Sequence, residues 1–208
     1  RYRKIQIKKN KYFLGYNLRF HPIIKYIKKR IKKNKIFSIN IFCSSFLPFW
    51  RKNRNYANTY SGKKNGGGVL LDLSHELDYL QWLFGNITKV NYLQSNKISK
   101  LKINVEDNFT LIGKIKNLHF NLNVNFFSRS NQRLITLDAG EFSIKADLLK
   151  NTMYLFNKNK IKKINFSINE DFTYAKQHKL IINKDYKDLC RYKEGLELVK
   201  FVDKLKKK

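Results

Sequence analysis

The sequence is poor in acidic residues, proline and cysteine, and it has no long uncharged run. Its 208 residues include 15 Asp+Glu against 44 Lys+Arg, with only two prolines and two cysteines. Cys43 and Cys190 lie far apart without metal-ligand spacing, so we predict no disulfide framework and no metal site, and we expect reduced thiols. The longest uncharged run, residues 36–50, is shorter than the roughly 20 residues of a membrane span. These absences favour a soluble cytoplasmic protein with no membrane partner.

The excess of positive charge, formally +29, has two explanations. One is a basic nucleic-acid-binding protein, supported by residues 1–71, which contain 19 Lys+Arg and no acidic residue. The other is codon bias, because 35 Lys, 24 Asn and 21 Ile stand against 4 Ala, a pattern typical of an A/T-rich genome. Only 9 of the basic residues are Arg, the side chain that binds phosphate in bidentate geometry. We favour codon bias, expect no nucleic-acid partner, and keep nucleic-acid binding as the alternative function.

Hydrophobic periodicity predicts an α+β fold. Residues 12–18 are interpreted as a buried strand, isoleucines at helical spacing follow Pro22, and residues 35–46 form a second apolar strand. Residues 66–85 give the clearest helix, which Gly85 ends. Alternating strands follow at 108–115, 119–127, 134–137, 142–146, 153–156 and 161–168. Their short connections imply an open, mostly antiparallel sheet, with helices, including those near the end of the chain, packed on one face.

The composition of one segment, residues 66–78, differs from that of the rest of the chain. Three consecutive glycines precede Asp72, His75, Glu76 and Asp78, and no acidic residue occurs earlier. On a helix Asp72 and His75 are i,i+3 neighbours, and the carboxylate would fix the imidazole tautomer and raise its basicity. Free N–H groups at the start of the helix would favour an anionic or polar ligand. The alternative is that Asp72 only caps the first turn and that His75 is a surface histidine.

Longer motifs around this segment resemble a known family. The runs GYNLRFHP, LPFWR and YSGKKNGGGVLLDLSHELDYLQWLFG, with the ending DLCRYKEGLELVKFVDKLKKK, are similar to the Gfo/Idh/MocA family of glucose–fructose oxidoreductase and inositol dehydrogenase relatives. The resemblance covers nearly the whole chain, and the glycine-rich helix is its most specific part. It implies an N-terminal Rossmann domain that binds NAD or NADP, followed by a substrate-binding domain whose open sheet forms homo-oligomers.

The resemblance implies roles for two groups of residues. His75 would act as acid/base on a sugar hydroxyl, with Asp72 as its orienting partner, although many family members space these two residues four apart. Near the start, Tyr16 and Arg19 would lie close to cofactor or substrate; the alternative is packing at the end of a strand. The substrate-binding set is completed by a loop over the pocket, which contributes Trp50, Arg51, Tyr56 and Tyr60.

In that loop Arg51 would pair with an anionic substrate, and a positive rim around the pocket would suit the same ligand. The alternative is that this is an ordinary surface loop with no role in substrate binding.

One part of the family pattern is missing from the sequence. There is no G-x-G-x-x-G after a strand, no βαβ series and no Glu-Lys-Pro. We interpret residues 1–20 as a remnant of the dinucleotide-binding domain, ending in its last strand, and residues 21–208 as the substrate-binding and oligomerisation domain.

The expected function is that of the C-terminal part of an NAD(P)-dependent oxidoreductase. The whole enzyme would act on a hydroxyl or ketone of a sugar, cyclitol or nucleotide sugar. We expect this chain alone to be inactive, because hydride transfer needs the cofactor held against the substrate. A further alternative is a non-catalytic remnant whose sheet still dimerises.

Overall fold

The computed structural model describes residues 12–64 and 66–206, which form five α-helices, four short 3-10 helices and ten strands. The helices are α1 (Pro22–Ile31), α2 (Val69–Asp72), α3 (His75–Phe84), α4 (Phe172–Ile182) and α5 (Tyr192–Lys206). The strands are β1 (Phe13–Leu14), β2 (Ile36–Phe46), β3 (Lys89–Asn96), β4 (Asn108–Ile115), β5 (Leu118–Asn125), β6 (Phe127–Ala139), β7 (Ser143–Asp147), β8 (Thr152–Asn157), β9 (Lys160–Asn165) and β10 (Cys190–Arg191). None of the described helices combines the length and apolar composition that a bilayer span requires.

The larger sheet has eight strands in the order β3-β4-β5-β2-β6-β7-β8-β9. Only β2 and β5 are parallel, and every other neighbouring pair is antiparallel. The predicted open, mostly antiparallel sheet is therefore confirmed. β2 lies at the centre of the sheet, where Ile39 has Phe120 of β5 on one side and Leu137 of β6 on the other.

The helices cover one face of this sheet, because both kinds of element are amphipathic. Along β2, Ile39 and Ile41 are buried, whereas Asn40 between them is exposed, as the two-residue period of a strand requires. On α1, Ile23 and Ile27 are fully buried in the same core, and its lysines lie on the other side. The predicted α+β class, with helices on one face, follows from these two patterns.

The predicted strand over residues 12–18 is wrong after Leu14. Only β1 is extended, paired with β10. The chain then turns, because the N–H groups of Tyr16 and Asn17 donate to the carbonyl oxygens of Leu14 and Gly15, each at 2.8 Å. Residues 17–20 form a 3-10 helix that leads directly into α1.

The predicted helix over residues 66–85 is divided into two helices. Gly68, with φ +104° and ψ 154°, is not helical, so α2 begins only at Val69. Leu73 leaves helical geometry with φ −101° and ψ 30°, and α3 starts at His75. The separation of Asp72 from His75 is therefore not fixed by the spacing of one continuous helix. Gly85 ends α3 with φ +97°, as predicted.

Candidate functional site

A cleft of about 530 Å³ opens at the junction of α2, α3 and the central strands β2 and β6. Three predicted site residues, Asp72, His75 and Trp50, lie in its wall. Other lining residues come from the segment before α1, from β2 and β6, and from the first turn of α4: Asn17, His21, Ser45, Gln132, Arg133 and Thr173. The structure thus brings the glycine-rich segment together with polar side chains that are distant in sequence.

His75 begins α3 and lies edge-on to the Tyr16 ring, with the two ring centroids 5.4 Å apart. Its Nδ1 is buried and has no hydrogen-bond partner. Burial, aided by the positive charge of Arg133, lowers the pKa of His75 to about 4, so the imidazole is neutral at pH 7. A neutral imidazole with an unpaired nitrogen can bind a ligand hydroxyl and take its proton.

Tyr16 supports this position rather than supplying a second acid. Its hydroxyl shares a 3.2 Å hydrogen bond with the hydroxyl of Ser74, the residue before His75. Burial raises the pKa of Tyr16 to about 12, so the phenol stays protonated at neutral pH. These contacts place Tyr16 behind His75, and its approach to cofactor or substrate stays a prediction.

Asp72 does not form the expected pair with His75. No hydrogen bond joins the two side chains, and Asp72 Oδ2 is a second buried atom without a partner. Burial raises the pKa of Asp72, and hydrogen bonds from Ser61 and Tyr60 oppose that rise. Because the helix breaks between them, Asp72 and His75 face the cleft as two separate polar groups.

The three glycines do not form an open anion cradle. The N–H groups of Gly67 and Gly68 already donate to the carbonyl oxygens of Lys63 and Ser61, each at 3.0 Å. A Cβ on Gly68 would lie 2.2 Å from the Glu106 carboxylate. Gly67 and Gly68 are therefore needed for close packing against the chain itself, and their N–H groups are not available to an anionic ligand.

Arg19 lies outside the cleft. Its guanidinium binds Asp78 at two points, Nη2 to Oδ1 at 2.7 Å and Nε to Oδ2 at 2.9 Å, and Nη1 lies 3.1 Å from Glu194 Oε1. The side chains of Arg19 and Asp78 are only 4% and 3% exposed. The expectation that Arg19 approaches cofactor or substrate is not supported, because its donors are occupied by two carboxylates. These contacts join the 3-10 helix of residues 17–20 to α3 and α5.

Arg51 and Tyr60 lie together on the surface beside the cleft. The Arg51 guanidinium is 5.5 Å from the centre of the Tyr60 ring, and both residues are exposed. They line a separate hollow of about 480 Å³. The positive charge of Arg51 still acts on the cleft at a distance, since it opposes the rise that burial causes in the pKa of Asp72. Of the predicted loop residues, only Trp50 reaches the cleft wall; its Nε1 donates to the Ser45 hydroxyl at 2.5 Å.

Sequence reasoning missed a buried ion pair directly behind His75. Glu76 is fully buried, and its Oε1 lies 2.8 Å from Nε of Arg133 on β6. Burial is the largest single influence on the pKa of Arg133 and lowers it, but Glu76, Cys43 and Tyr79 together raise it above its usual value, so the guanidinium stays charged. Glu76 stood out in the sequence, whereas nothing local marked Arg133, because their contact depends on the packing of α3 against the sheet.

The described residues do not fit a dinucleotide by themselves. They contain no βαβ unit with a glycine-rich turn, and the one glycine-rich segment is closed by the chain's own carbonyl and carboxylate groups. Within residues 12–64 and 66–206, no three His, Cys, Asp or Glu side chains cluster as metal ligands would. What the cleft offers is polar atoms for a small ligand.

The fold defines the class of protein, an α+β domain in which helices cover one face of an open, mostly antiparallel sheet. The GFO/IDH/MocA C-terminal domain family matches residues 24–143, more than half of the chain, and the chain belongs to that family. No curated protein matches the sequence.

Solved structures share the fold at low sequence identity. UDP-N-acetylglucosamine 3-dehydrogenase GnnA from Acidithiobacillus ferrooxidans is 15% identical, with a TM-score of 0.68 over 89% of this chain and 57% of that chain. The WlbA dehydrogenase from Bordetella pertussis, in complex with NADH and UDP-GlcNAcA, is 16% identical, with a TM-score of 0.70 over 95% and 61%. A super-repressor mutant of Gal80p from Saccharomyces cerevisiae is 13% identical, with a TM-score of 0.78 over 96% and 63%. The chain spans about three fifths of each of these structures.

Proposed function

We propose that this chain is the substrate-binding part of an NAD(P)-dependent oxidoreductase that acts on a hydroxyl or ketone of a sugar, cyclitol or nucleotide sugar in the cytoplasm. The observation that carries the proposal is the position of His75, whose imidazole is neutral at pH 7, in the wall of a polar cleft. Proteins with the same fold include dehydrogenases of nucleotide sugars.

In this proposal His75 is the general acid/base of the reaction. Oxidation of a secondary alcohol removes a proton from oxygen and a hydride from carbon. The neutral imidazole accepts that proton and returns it in the reverse direction. Asp72, in the same wall, acts separately by accepting a hydrogen bond from a second hydroxyl, and so fixes the orientation of the substrate.

The test of His75 uses a polypeptide in which a Rossmann domain precedes this chain. We expect His75→Gln to lower kcat by about 10²–10⁴, whereas His178→Gln, on the exposed surface of α4, leaves kcat unchanged. Undiminished activity of the His75 variant would remove it from the mechanism.

We propose that residues 1–20 are the end of a dinucleotide-binding domain, that residues 21–208 form the substrate-binding domain, and that NAD or NADP is held mainly by residues outside this chain. The 208-residue chain should then neither oxidise sugars nor change the fluorescence of NADH or NADPH at micromolar concentration. Micromolar binding of either nucleotide would contradict this division of roles.

We also propose that the uncovered face of the large sheet forms a homo-oligomer. Tyr92 of β3 and Ile112 of β4 are cross-strand neighbours on that face and are 48% and 40% exposed. Gel filtration should give a dimer for the native chain and a monomer for Ile112→Lys. Ile182→Lys, on α4, is the matched control and should remain dimeric, since Ile182 is already 77% exposed. A monomeric native chain would refute the interface.

A further inference from the structure

Arg133 gives the cleft a permanent positive charge. None of the described residues that line the cleft is a lysine, and Arg133 is the one arginine among them. Its side chain is 20% exposed. Burial lowers the pKa values of His21 and His75, and the positive charge of Arg133 lowers both further. Because these two imidazoles are neutral at pH 7, the guanidinium is the main cation that a ligand would meet in this wall.

Glu76 compensates the charge of Arg133 only in part. Its Oε1 lies 2.8 Å from Arg133 Nε, yet neither atom has a hydrogen-bond partner among the described residues. Burial also raises the pKa of Glu76, which disfavours its charged form. The contact engages Nε, whereas the fork of Nη1 and Nη2 has the geometry to hold a planar carboxylate at two points.

Asn131 adds a neutral donor beside Arg133. The two residues are two positions apart on β6, about 7 Å along the strand, so they lie on the same face, and both line the cleft. The indole Nε1 of Trp50, which can only donate, donates to the Ser45 hydroxyl, and that hydroxyl donates to Asn131 Oδ1 at 3.3 Å. These bonds occupy the amide oxygen of Asn131 and leave its Nδ2 as the donor for a ligand.

Two carboxyl groups limit the negative charge that the cleft accepts. Asp72 lies in the wall, and Glu170 lies at the exposed rim. Because both repel further negative charge, a ligand group with one negative charge fits the single guanidinium better than a dianionic phosphate does. A carboxylate also matches the planar guanidinium fork in shape. These features favour a carboxylate over a phosphate.

We infer that Arg133 and Asn131 form a subsite for a carboxylate on the substrate ring, so that the cleft selects a sugar acid over the corresponding neutral sugar. The inference rests on the proposed function and narrows its substrate class. It assigns to Arg133 the pairing with an anionic substrate that the sequence suggested for Arg51, which lies outside the cleft.

The test compares three ligands that differ only at the sixth carbon. Glucose carries a hydroxymethyl group there, glucuronate a carboxylate, and glucose 6-phosphate a dianionic phosphate ester. Binding to the 208-residue chain is measured by NMR titration at neutral pH and about 0.15 M salt. We expect glucuronate to bind at least about tenfold more tightly than glucose, and more tightly than glucose 6-phosphate.

Charge variants test whether Arg133 causes the preference. Combining Glu76→Gln with Arg133→Gln removes both charges of the pair, so no buried charge is left alone, and glucose and glucuronate should then bind within about threefold of each other. Glu76→Gln alone keeps the cation and should keep the preference. Arg191→Gln, exposed on β10, is the matched control and should leave the ratio unchanged. A general loss of structure would weaken both sugars alike, whereas loss of the subsite weakens glucuronate alone.

The outcomes separate this inference from the proposed function. Equal binding of glucose and glucuronate by the native chain, or a preference that survives the double variant, would overturn the inference while the proposed function stands. Tighter binding of glucose 6-phosphate than of glucuronate would overturn the assignment to a carboxylate. If the double variant does not fold, the ratios measured with the native chain still decide. Binding of none of the three, nor of myo-inositol, would count against the proposed function and would remove the inference with it.

Discussion

Several of the residues that build the cleft are titratable groups held away from water. His75 is neutral in the folded chain because burial lowers its pKa from 6.5 to about 4. As the pH falls through this range, the unfolded chain binds a proton that the folded chain does not, and acidification therefore removes stability. His75 should thus make the fold sensitive to mild acid.

This sensitivity can be measured by urea unfolding of the native chain and of His75→Gln at about pH 7 and pH 5. We expect the native chain to lose about 1 to 2 kcal/mol more on acidification than the variant does. His178→Gln controls for removal of any histidine and should behave as the native chain. An equal loss in the native chain and in His75→Gln would contradict the lowered pKa.

The Arg19–Asp78 pair gives a second prediction for single residues. Replacing Arg19 by Met leaves the Asp78 carboxylate buried without its partner, and we expect a loss of about 3–5 kcal/mol in the free energy of unfolding. Arg51→Met removes an exposed guanidinium and should change stability by less than about 0.5 kcal/mol. Similar values for the two variants would mean that Arg19 is not part of the buried framework.

Among the elements, the glycine-rich segment before α2 is held by the end of the chain. Lys206 on α5 donates to the Gly67 carbonyl oxygen at 3.0 Å, and its Nζ lies 2.7 Å from Glu106 Oε1. Glu106 in turn lies against Gly68, and its backbone oxygen accepts from the Val69 N–H at 3.1 Å. The position of Asp72 at the end of α2 therefore depends on the packing of α5.

Two alanine substitutions separate backbone conformation from packing in this segment. Gly66 and Gly68 both have positive φ, but only at Gly68 would a Cβ meet neighbouring atoms. We expect Gly66→Ala to lower the free energy of unfolding by about 1 kcal/mol, because of its positive φ alone. Gly68→Ala should lower it by at least about 2 kcal/mol more, because its Cβ would collide with Glu106. Thermal unfolding of both variants measures the difference, and equal costs would show that Glu106 moves aside freely.

Sequence patterns predicted the elements whose signals are local. The helix at Pro22, the strand at 35–46 and the antiparallel strands after 108 follow from periodicity and short connections. The break at Leu73 was missed because the leucines on both sides continue the same apolar pattern. Arg133 was missed for a different reason, since pairing with Glu76 requires β6 to lie beside β2, a contact that no local pattern encodes.

At the scale of the whole molecule, the net charge is +29, and the lysines among the described residues lie outside the lining of the cleft. Lysines on solvated faces repel one another and keep the protein dispersed without reading a nucleic-acid sequence. We expect no binding to duplex or single-stranded DNA at about 0.15 M salt. Submicromolar binding under that condition, with a steep salt dependence, would favour the alternative function.

The central position of β2 has a consequence for synthesis of the chain. β2 ends at Phe46. Its two neighbours in the sheet come much later in the chain, because β5 begins at Leu118 and β6 ends at Ala139. A nascent chain leaving the ribosome therefore carries an apolar strand with both edges unpaired until β5 has been made, and with one edge unpaired until β6 has been made. Unpaired strand edges attract other chains. Slow translation between β2 and β6 should consequently increase aggregation and dependence on chaperones, although it would leave the stability of the finished fold unchanged.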